Sequence, residues 1–355
     1  MKRVFRAAVL IGALCAAGCS WVGPEIIRNG RSSYNDAILT TSDQQLLQNI
    51  VRMRFGDSVG FLTVSSVTAN VTVTTSASVD LPYGSQANYA GAIIPFNGTL
   101  SSEQNPTISY TPVGGDRVLR QLASETPLDM TVLILNSSLS PKEAWITLVR
   151  RVNNIRSPDF VDSGQPVAEG RFEEIATLLE NLQRRGNLYW VRLGGAQSGY
   201  GIVMHSYTPT SVKDVHRLLE LLAIDKPIRE GADVVVPVRL AAGTPEPGTI
   251  SIETRSLFDL VRIAAASIEL PADVSAGAVR FPPRGIAGRD IRILSTAFRP
   301  RDARAAAEYR GRWYYIEQDD MASKQWFSML GLLANAQVPD AGIAPMLTVP
   351  VSKSR

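Results

Sequence analysis

Histidine occurs only twice, at positions 205 and 216. His205 lies in an expected strand beside Ser206, and His216 lies on an expected helix between Val215 and Arg217. A Ser–His–acid arrangement needs its members to meet only in space, so His205 leaves nucleophilic hydrolysis open as chemistry. The sequence holds neither a G-x-S-x-G elbow nor an S-x-x-K motif, so both histidines read as structural. The densest acid cluster is Glu317, Asp319 and Asp320. Paired carboxylates of this kind can ligate a cation or share acid and base roles. These three stand where a helix should begin, and acids are favoured at that end. No histidine or second acid cluster joins them, so no metal site is assigned.

The glycine-rich run Gly194-Gly195-Ala196-Gln197-Ser198-Gly199-Tyr200-Gly201 has the composition of a phosphate cradle without its spacing. It lies between two expected strands and reads as a hairpin turn. Tyr189-Trp190 and Trp313-Tyr314-Tyr315 could stack on sugar rings, but aromatic residues in strands are more often core. No catalytic, cofactor-binding or metal-binding residue is assigned.

The two cysteines are Cys15 and Cys19. Lys2, Arg3 and Arg6 precede an apolar run, Ala7 to Ala17, that is too short for a permanent span of ~20 residues and has the size of a signal-peptide core. A mature body would keep only Cys19, which excludes a disulfide framework and a thiol nucleophile in the folded part. Ala16-Ala17-Gly18-Cys19 resembles the lipobox of bacterial lipoproteins, departing at Ala16, where Leu is usual. The resemblance implies acylation of Cys19 as the mature N-terminus. Ser20 after it implies sorting to the outer membrane, with the body facing the periplasm. Several acyl chains, at ~0.8 kcal/mol per buried CH₂, would anchor the chain firmly.

The elements that must carry any function are set by a chain of 355 residues, 45% hydrophobic and 19% charged. That is globular composition with room for two domains. Without Lys2, Arg3 and Arg6 the remaining 33 basic residues balance 33 acidic ones. A nucleic-acid footprint is therefore not expected.

Residues 61–115 differ in kind from the rest. They hold 16 Ser and Thr, two charges (Asp80 and Glu103) and no Lys or Arg. From Ser66 to Leu81 apolar and polar residues alternate, with Val67, Ala69, Val71, Val73, Ala77, Val79 and Leu81 on one side. This predicts one strand of 16 residues, well beyond the usual ~5–6. A turn at Pro82-Tyr83-Gly84-Ser85, a returning segment from Ala87 to Phe96 and a strand from Thr107 to Thr111 follow. A soluble sheet, an oligomeric membrane insertion and a partner-dependent segment all fit this pattern.

Elsewhere the patterning is ordinary. Helices are expected from Ser42, from Ser140-Pro141-Lys142-Glu143 through Ile155, over 169–185, from Ser211 to Ala223, after Ser256, and from Met321 to Ala336. Strands are expected at Thr131–Leu135, Leu188–Leu193, Gly201–Ser206, Val234–Leu240 and Thr249–Glu253. Ile291–Phe298 and Ala307–Gln318 suggest an antiparallel pair, and Met346–Val351 a closing strand. Ile252-Glu253 and Ile316-Glu317, each before a helix, suggest a worn duplication. The expected fold class is α+β, with mixed or antiparallel sheets and capped helices preceded by a long Ser/Thr-rich β-hairpin. The expected division is a signal peptide (1–18), a lipidated tether (19–40), a helix (41–60), the β segment (61–115) and a body in two parts (116–230 and 231–355).

Asn49-Ile50-Val51-Arg52-Met53-Arg54-Phe55, Pro106-Thr107-Ile108-Ser109-Tyr110-Thr111-Pro112 and Tyr309-Arg310-Gly311-Arg312-Trp313-Tyr314-Tyr315-Ile316, with Ser323-Lys324, resemble a set of proteobacterial envelope proteins. That set carries no assigned activity, so the resemblance implies a compartment and no catalytic residue. The expected function is a non-enzymatic structural or assembly component of an envelope complex. Its β segment would contact other copies or envelope proteins, and Cys19 would enter outer-membrane lipid. A periplasmic hydrolase acting on cell-wall material and a protomer of an oligomeric outer-membrane pore are the alternatives.

Overall fold

The computed structural model describes residues 35–68, 71–79, 96–104, 107–113, 120, 122–138, 140–161, 169–194, 199–206, 208–240, 244–337 and 347–350. The signal region, Cys19, the turn at 82–85, the returning segment up to Pro95, most of 116–122 and residues 195–198 of the glycine run lie outside them. The described chain is α+β, with eight helices, and it divides into two compact units. One comprises residues 1–60 and 115–337, and the other 61–114 and 338–355.

The larger unit begins with α1, residues 35–54. It starts earlier than Ser42, because Thr41 does not end the helix: its hydroxyl donates back to the carbonyls of Ala37 (2.8 Å) and Ile38 (3.0 Å). The expected stripe of Leu46, Leu47, Ile50 and Val51 is buried, and Gly56 at φ +72° stops the helix. Asp43 pairs with Arg304, and Asp57 accepts from Tyr309 and Arg310, so the middle of α1 and the turn after its C-terminal end are tied to the same later hairpin.

A six-stranded mixed sheet forms the centre. Its strands are β5 (Val149–Val152), β6 (Ile155–Arg156), β7 (Leu188–Leu193), β8 (Gly199–His205), β9 (Asp233–Leu240) and β10 (Ile250–Thr254). Their order is β6-β5-β10-β9-β8-β7, with β9 and β10 parallel and all other pairs antiparallel. These strands come from both sides of residue 230. Around the sheet stand α2 (Leu128–Ser137), α3 (Pro141–Leu148), α4 (Glu169–Arg184), α5 (Pro209–Leu221) and α6 (Leu257–Ala266), with the short α7 (Ala272–Ser275). The second sheet, β11 (Leu294–Thr296), β12 (Ala303–Tyr309) and β13 (Arg312–Glu317), is antiparallel in the order β11-β13-β12. It leads into α8 (Met321–Gln337).

Three expectations for this unit are corrected. Thr131–Leu135 is helical, within α2. Thr131, Val132, Ile134 and Leu135 are buried while Leu133 is 61% exposed, which is a helical stripe and not an alternation. The β-branched content suggested a strand, and burial of that stripe overrides the propensity. The helix from Pro141 ends at Leu148 and not near Ile155, and the Ser140 side chain makes no capping hydrogen bond. Ala307–Gln318 is not one strand, because Arg310 (φ +51°) and Gly311 (φ +74°) make a two-residue turn between β12 and β13. Ile252-Glu253 and Ile316-Glu317 lie in different sheets.

The smaller unit is all β among its described residues. It contains β1 (Phe61–Thr68), β2 (Val71–Val79), β3 (Phe96–Gln104), β4 (Thr107–Val113) and β14 (Leu347–Pro350). The expected single strand from Ser66 to Leu81 is two strands in two sheets. β1 pairs with β4, which also pairs with β14, while β2 pairs with β3.

Candidate functional site

The ribbon's backbone register carries the clearest pattern in the chain. Ser66 faces Ser109, Val67 faces Ile108 and Thr68 faces Thr107. Beyond the interruption the same register resumes, from Val71 opposite Gln104 to Val79 opposite Phe96. The described residues of the two strand pairs thus share one register while belonging to two sheets. Below Ser66 the register slips by one, with Val64 opposite Tyr110 and Leu62 opposite Pro112. Ser65 is the extra residue of a β-bulge.

That bulge has a consequence for the faces. Side chains alternate with period two, so Leu62 and Val64 are out of phase with Val67, Val71 and Val73 in a regular strand. One bulged residue restores the phase. Leu62, Val64, Val67, Ile108 and Tyr110 then share a face, and the register adds Leu347 and Val349 of β14 to it. In β2 and β3 that face holds Val71, Val73, Ala77, Val79, Phe96, Gly98 and Leu100, interrupted by Thr75, Ser102 and Gln104. The other face holds Thr72, Thr74, Ser76, Ser78, Asn97, Thr99, Ser101 and Glu103, without one apolar residue. β14 covers only the base, from Thr107 to Tyr110. Among the described residues, β2 and β3 pair only with each other.

In the larger unit the most deeply buried charge is Arg255. Arg255, fully buried between β10 and α6, spends its guanidinium on six acceptors. Nε donates to Asp159 Oδ1 (2.7 Å), and the terminal nitrogens to the carbonyls of Ile146 (2.8 Å), Thr147 (3.0 Å), Val149 (2.9 Å) and Ser157 (2.5 Å), and to Ser157 Oγ (3.3 Å). The Arg255 amide donates to Leu148 O (2.7 Å). The last carbonyls of α3 thus end on one side chain, which is why the helix stops at Leu148 and turns into β5. Arg150 (3.0 Å) and Arg262 (3.1 Å) reach the second oxygen of Asp159. Burial pushes the Asp159 carboxyl up, and the charges and hydrogen bonds of Arg255 and Arg150 outweigh it, leaving it below the usual carboxylate range. Burial pulls the Arg255 guanidinium down, against the opposing pull of Asp159.

His205 Nδ1 lies 2.5 Å from Asp233 Oδ1, across the β8–β9 pair, and its ring sits 5.0 Å from that of Tyr189. Ser206 does not complete a nucleophilic set, since its buried hydroxyl donates to the carbonyl of Ala232 (3.1 Å). His216 is exposed on α5. Asp320 caps α8, accepting from the Ser323 amide (3.1 Å) and hydroxyl (2.6 Å), as acids at that position suggest. Ser323 Oγ in turn accepts from the Arg292 amide (2.9 Å). No group of three or more metal-ligating side chains occurs among the described residues. Trp190 stacks on Trp145 at 6.1 Å, and Tyr314 is fully buried, so these aromatics belong to the core. Tyr189 is 41% exposed.

A groove of about 640 Å³ runs between α2, α3, α8 and the turn Ile286–Gly288. Ile134, Ala144, Met329 and Leu332 line it, with Trp326, whose buried Nε1 has no hydrogen-bond partner among the described residues. No helix among the described residues is long and apolar enough to cross a membrane.

Neither the family models, the curated proteins nor the solved structures contain a match to this chain.

Proposed function

We propose that this chain is an outer-membrane lipoprotein facing the periplasm, anchored through acylated Cys19, and that it acts as a non-enzymatic assembly component. Its hairpin of residues 61–113 joins copies of the chain by edge pairing. One observation carries this reading. Above the bulge at Ser65 the two strand pairs share one register, apolar and Ser/Thr positions alternate along β2, and among the described residues β2 and β3 pair only with each other. An isolated two-stranded ribbon is marginal in water, and open strand edges recruit further strands. Soluble proteins guard such edges with Lys or Pro; residues 61–115 carry no Lys or Arg, and their prolines are Pro82, Pro95, Pro106 and Pro112.

Two experiments test the reading. Mass spectrometry of the mature N-terminal peptide should find diacylglycerol on Cys19, and Cys19→Ala should shift the protein out of the membrane fraction. An unmodified N-terminus elsewhere refutes the anchor. Deleting residues 66–100 should leave a folded, monomeric body, whereas the full mature chain is oligomeric. A body that unfolds on deletion makes the hairpin part of the core and ends the assembly role.

A further inference from the structure

We propose that the groove between α2, α3, α8 and the turn Ile286–Gly288 binds a small organic cation with an apolar body, and that Glu143 is its counter-ion. The site lies within the larger unit and is independent of the assembly reading.

The walls set the body of the ligand. Ile134, Ala144, Ile286, Ile291 and Trp326 line the groove and are buried, so its surface is mainly apolar. Its volume of about 640 Å³ falls within the ~300–1,000 Å³ of small-molecule sites. A protein partner would need a broader contact, with about 20–30 residues on each side. Among the lining residues only Met321 (58%) and Leu332 (64%) are well-exposed large apolar side chains, too few to anchor such a contact.

The charges set the head group. Two carboxylates, Glu143 and Asp290, line the groove against one ammonium, Lys324. Lys324 Nζ is turned to the carbonyl of Gln318, to which it donates at 2.7 Å. Asp290 has one ion contact, 3.8 Å from Nε of its neighbour Arg289. Glu143 has neither a hydrogen bond nor an ion pair among the described residues. The cations nearby are engaged elsewhere, since Lys142 and Arg289 both reach Glu173, at 2.9 and 3.3 Å. Glu143 is open to solvent at the groove, yet the walls around it partly desolvate its carboxyl and push it up. Asp290 acts in the same direction, and Lys142 and Arg289 act against it. A ligand cation would face a carboxylate that the chain leaves unmatched, in surroundings where opposite charges attract more strongly than in water.

The test titrates the full chain, purified in detergent, by isothermal calorimetry against matched detergent blanks. Three probes share one body and differ in charge: phenylbutylamine, phenylbutanol and phenylbutyrate. The amine is expected to bind with a Kd below about 1 mM, the alcohol roughly tenfold more weakly, and the carboxylate not at all. Glu143→Gln should weaken the amine roughly tenfold and leave the alcohol unchanged. Glu308→Gln removes an exposed carboxylate of β12, outside the groove, and should change neither. Ser328→Trp builds an indole into the groove from an exposed position of α8 and should abolish binding of amine and alcohol alike. Thermal melting checks the fold of each variant, and the probe series on the parent chain tests the charge preference without any variant. Equal binding of the three probes overturns Glu143 as counter-ion. An amine that does not bind, or that still binds the folded Ser328→Trp variant, overturns the site.

Discussion

Ser66 faces Ser109 across the ribbon, one step out of register with Val64 and Tyr110 just below. Ser65 absorbs the step, and it does so where the sequence changes phase, from Leu62 and Val64 to Val67 and Val71. Without the bulge, half the apolar residues of β1 would fall on the Ser/Thr face.

Deleting Ser65 should therefore weaken assembly far more than replacing it. The deletion is expected to reduce the oligomeric fraction roughly tenfold, about 1.4 kcal/mol, while Ser65→Ala stays near the parent. Mass photometry of the purified variants measures this. Equal behaviour of deletion and replacement would show that the shared apolar face does not matter.

The buried pair of Asp159 and Arg255 should dominate the stability of the body. Asp159→Asn leaves the buried guanidinium without its countercharge, and a loss of about 3–5 kcal/mol is expected. Arg255→Lys should also fail, because an ammonium cannot serve the carbonyls of Ile146, Thr147, Val149 and Ser157 in one plane. The pH dependence follows from the sign of the carboxylate shift. Arg255 and Arg150 hold the folded carboxyl of Asp159 below its unfolded value, overcoming burial. The resulting stability is fully present above the unfolded value near pH ~4 and is lost as the pH falls through the folded one. Urea midpoints of the body between pH 7 and 3 should fall in the parent, and the Asp159→Asn variant should lack that component.

Gly285 presents a packing test. A Cβ there would lie 2.0 Å from the carbonyl oxygen of Pro158, where the chain forms the bridge between Phe160 and Arg284. Backbone cannot yield as a side-chain tip can, so Gly285→Ala should cost at least the ~1–3 kcal/mol of an overpacked site. Gly170→Ala, in the first turn of α4 with nothing near its Cβ position, should be neutral or slightly stabilising. Thermal melting of the two variants side by side separates a steric effect from a general intolerance of alanine.

Local signals made part of the fold legible. Ser256 caps α6 in a box with Asp259, and the stripe of α4 ends at Gly186, as the sequence indicates. The helix expected from Ser211 starts two residues earlier, because Thr208 forms the box with Ser211. The alternation from Ser66 is legible in the sequence, and so is the phase change at Ser65. Arg255 was not legible. Its acceptors come from residues 146–159, about a hundred positions away, and nothing between Thr254 and Ser256 announces a buried charge. The Arg310-Gly311 turn is not legible locally, because Arg replaces the usual Asn or Asp at its first position.

The most direct measurement is disulfide cross-linking between copies. Cys15 and Cys19 are the only native cysteines, and on the proposed lipoprotein reading neither leaves a free thiol in the mature chain, so introduced thiols report alone. Two differently tagged chains are co-expressed, one with a single cysteine at position 72, 74, 76 or 78 of β2 and the other with Ser101→Cys in β3. The expected result is covalent pairs carrying both tags, peaking at one β2 position and falling away on either side, as adjacent strands in a fixed register require. Absence of mixed pairs at every position, from chains whose bodies melt normally, would contradict the joining of copies through this hairpin.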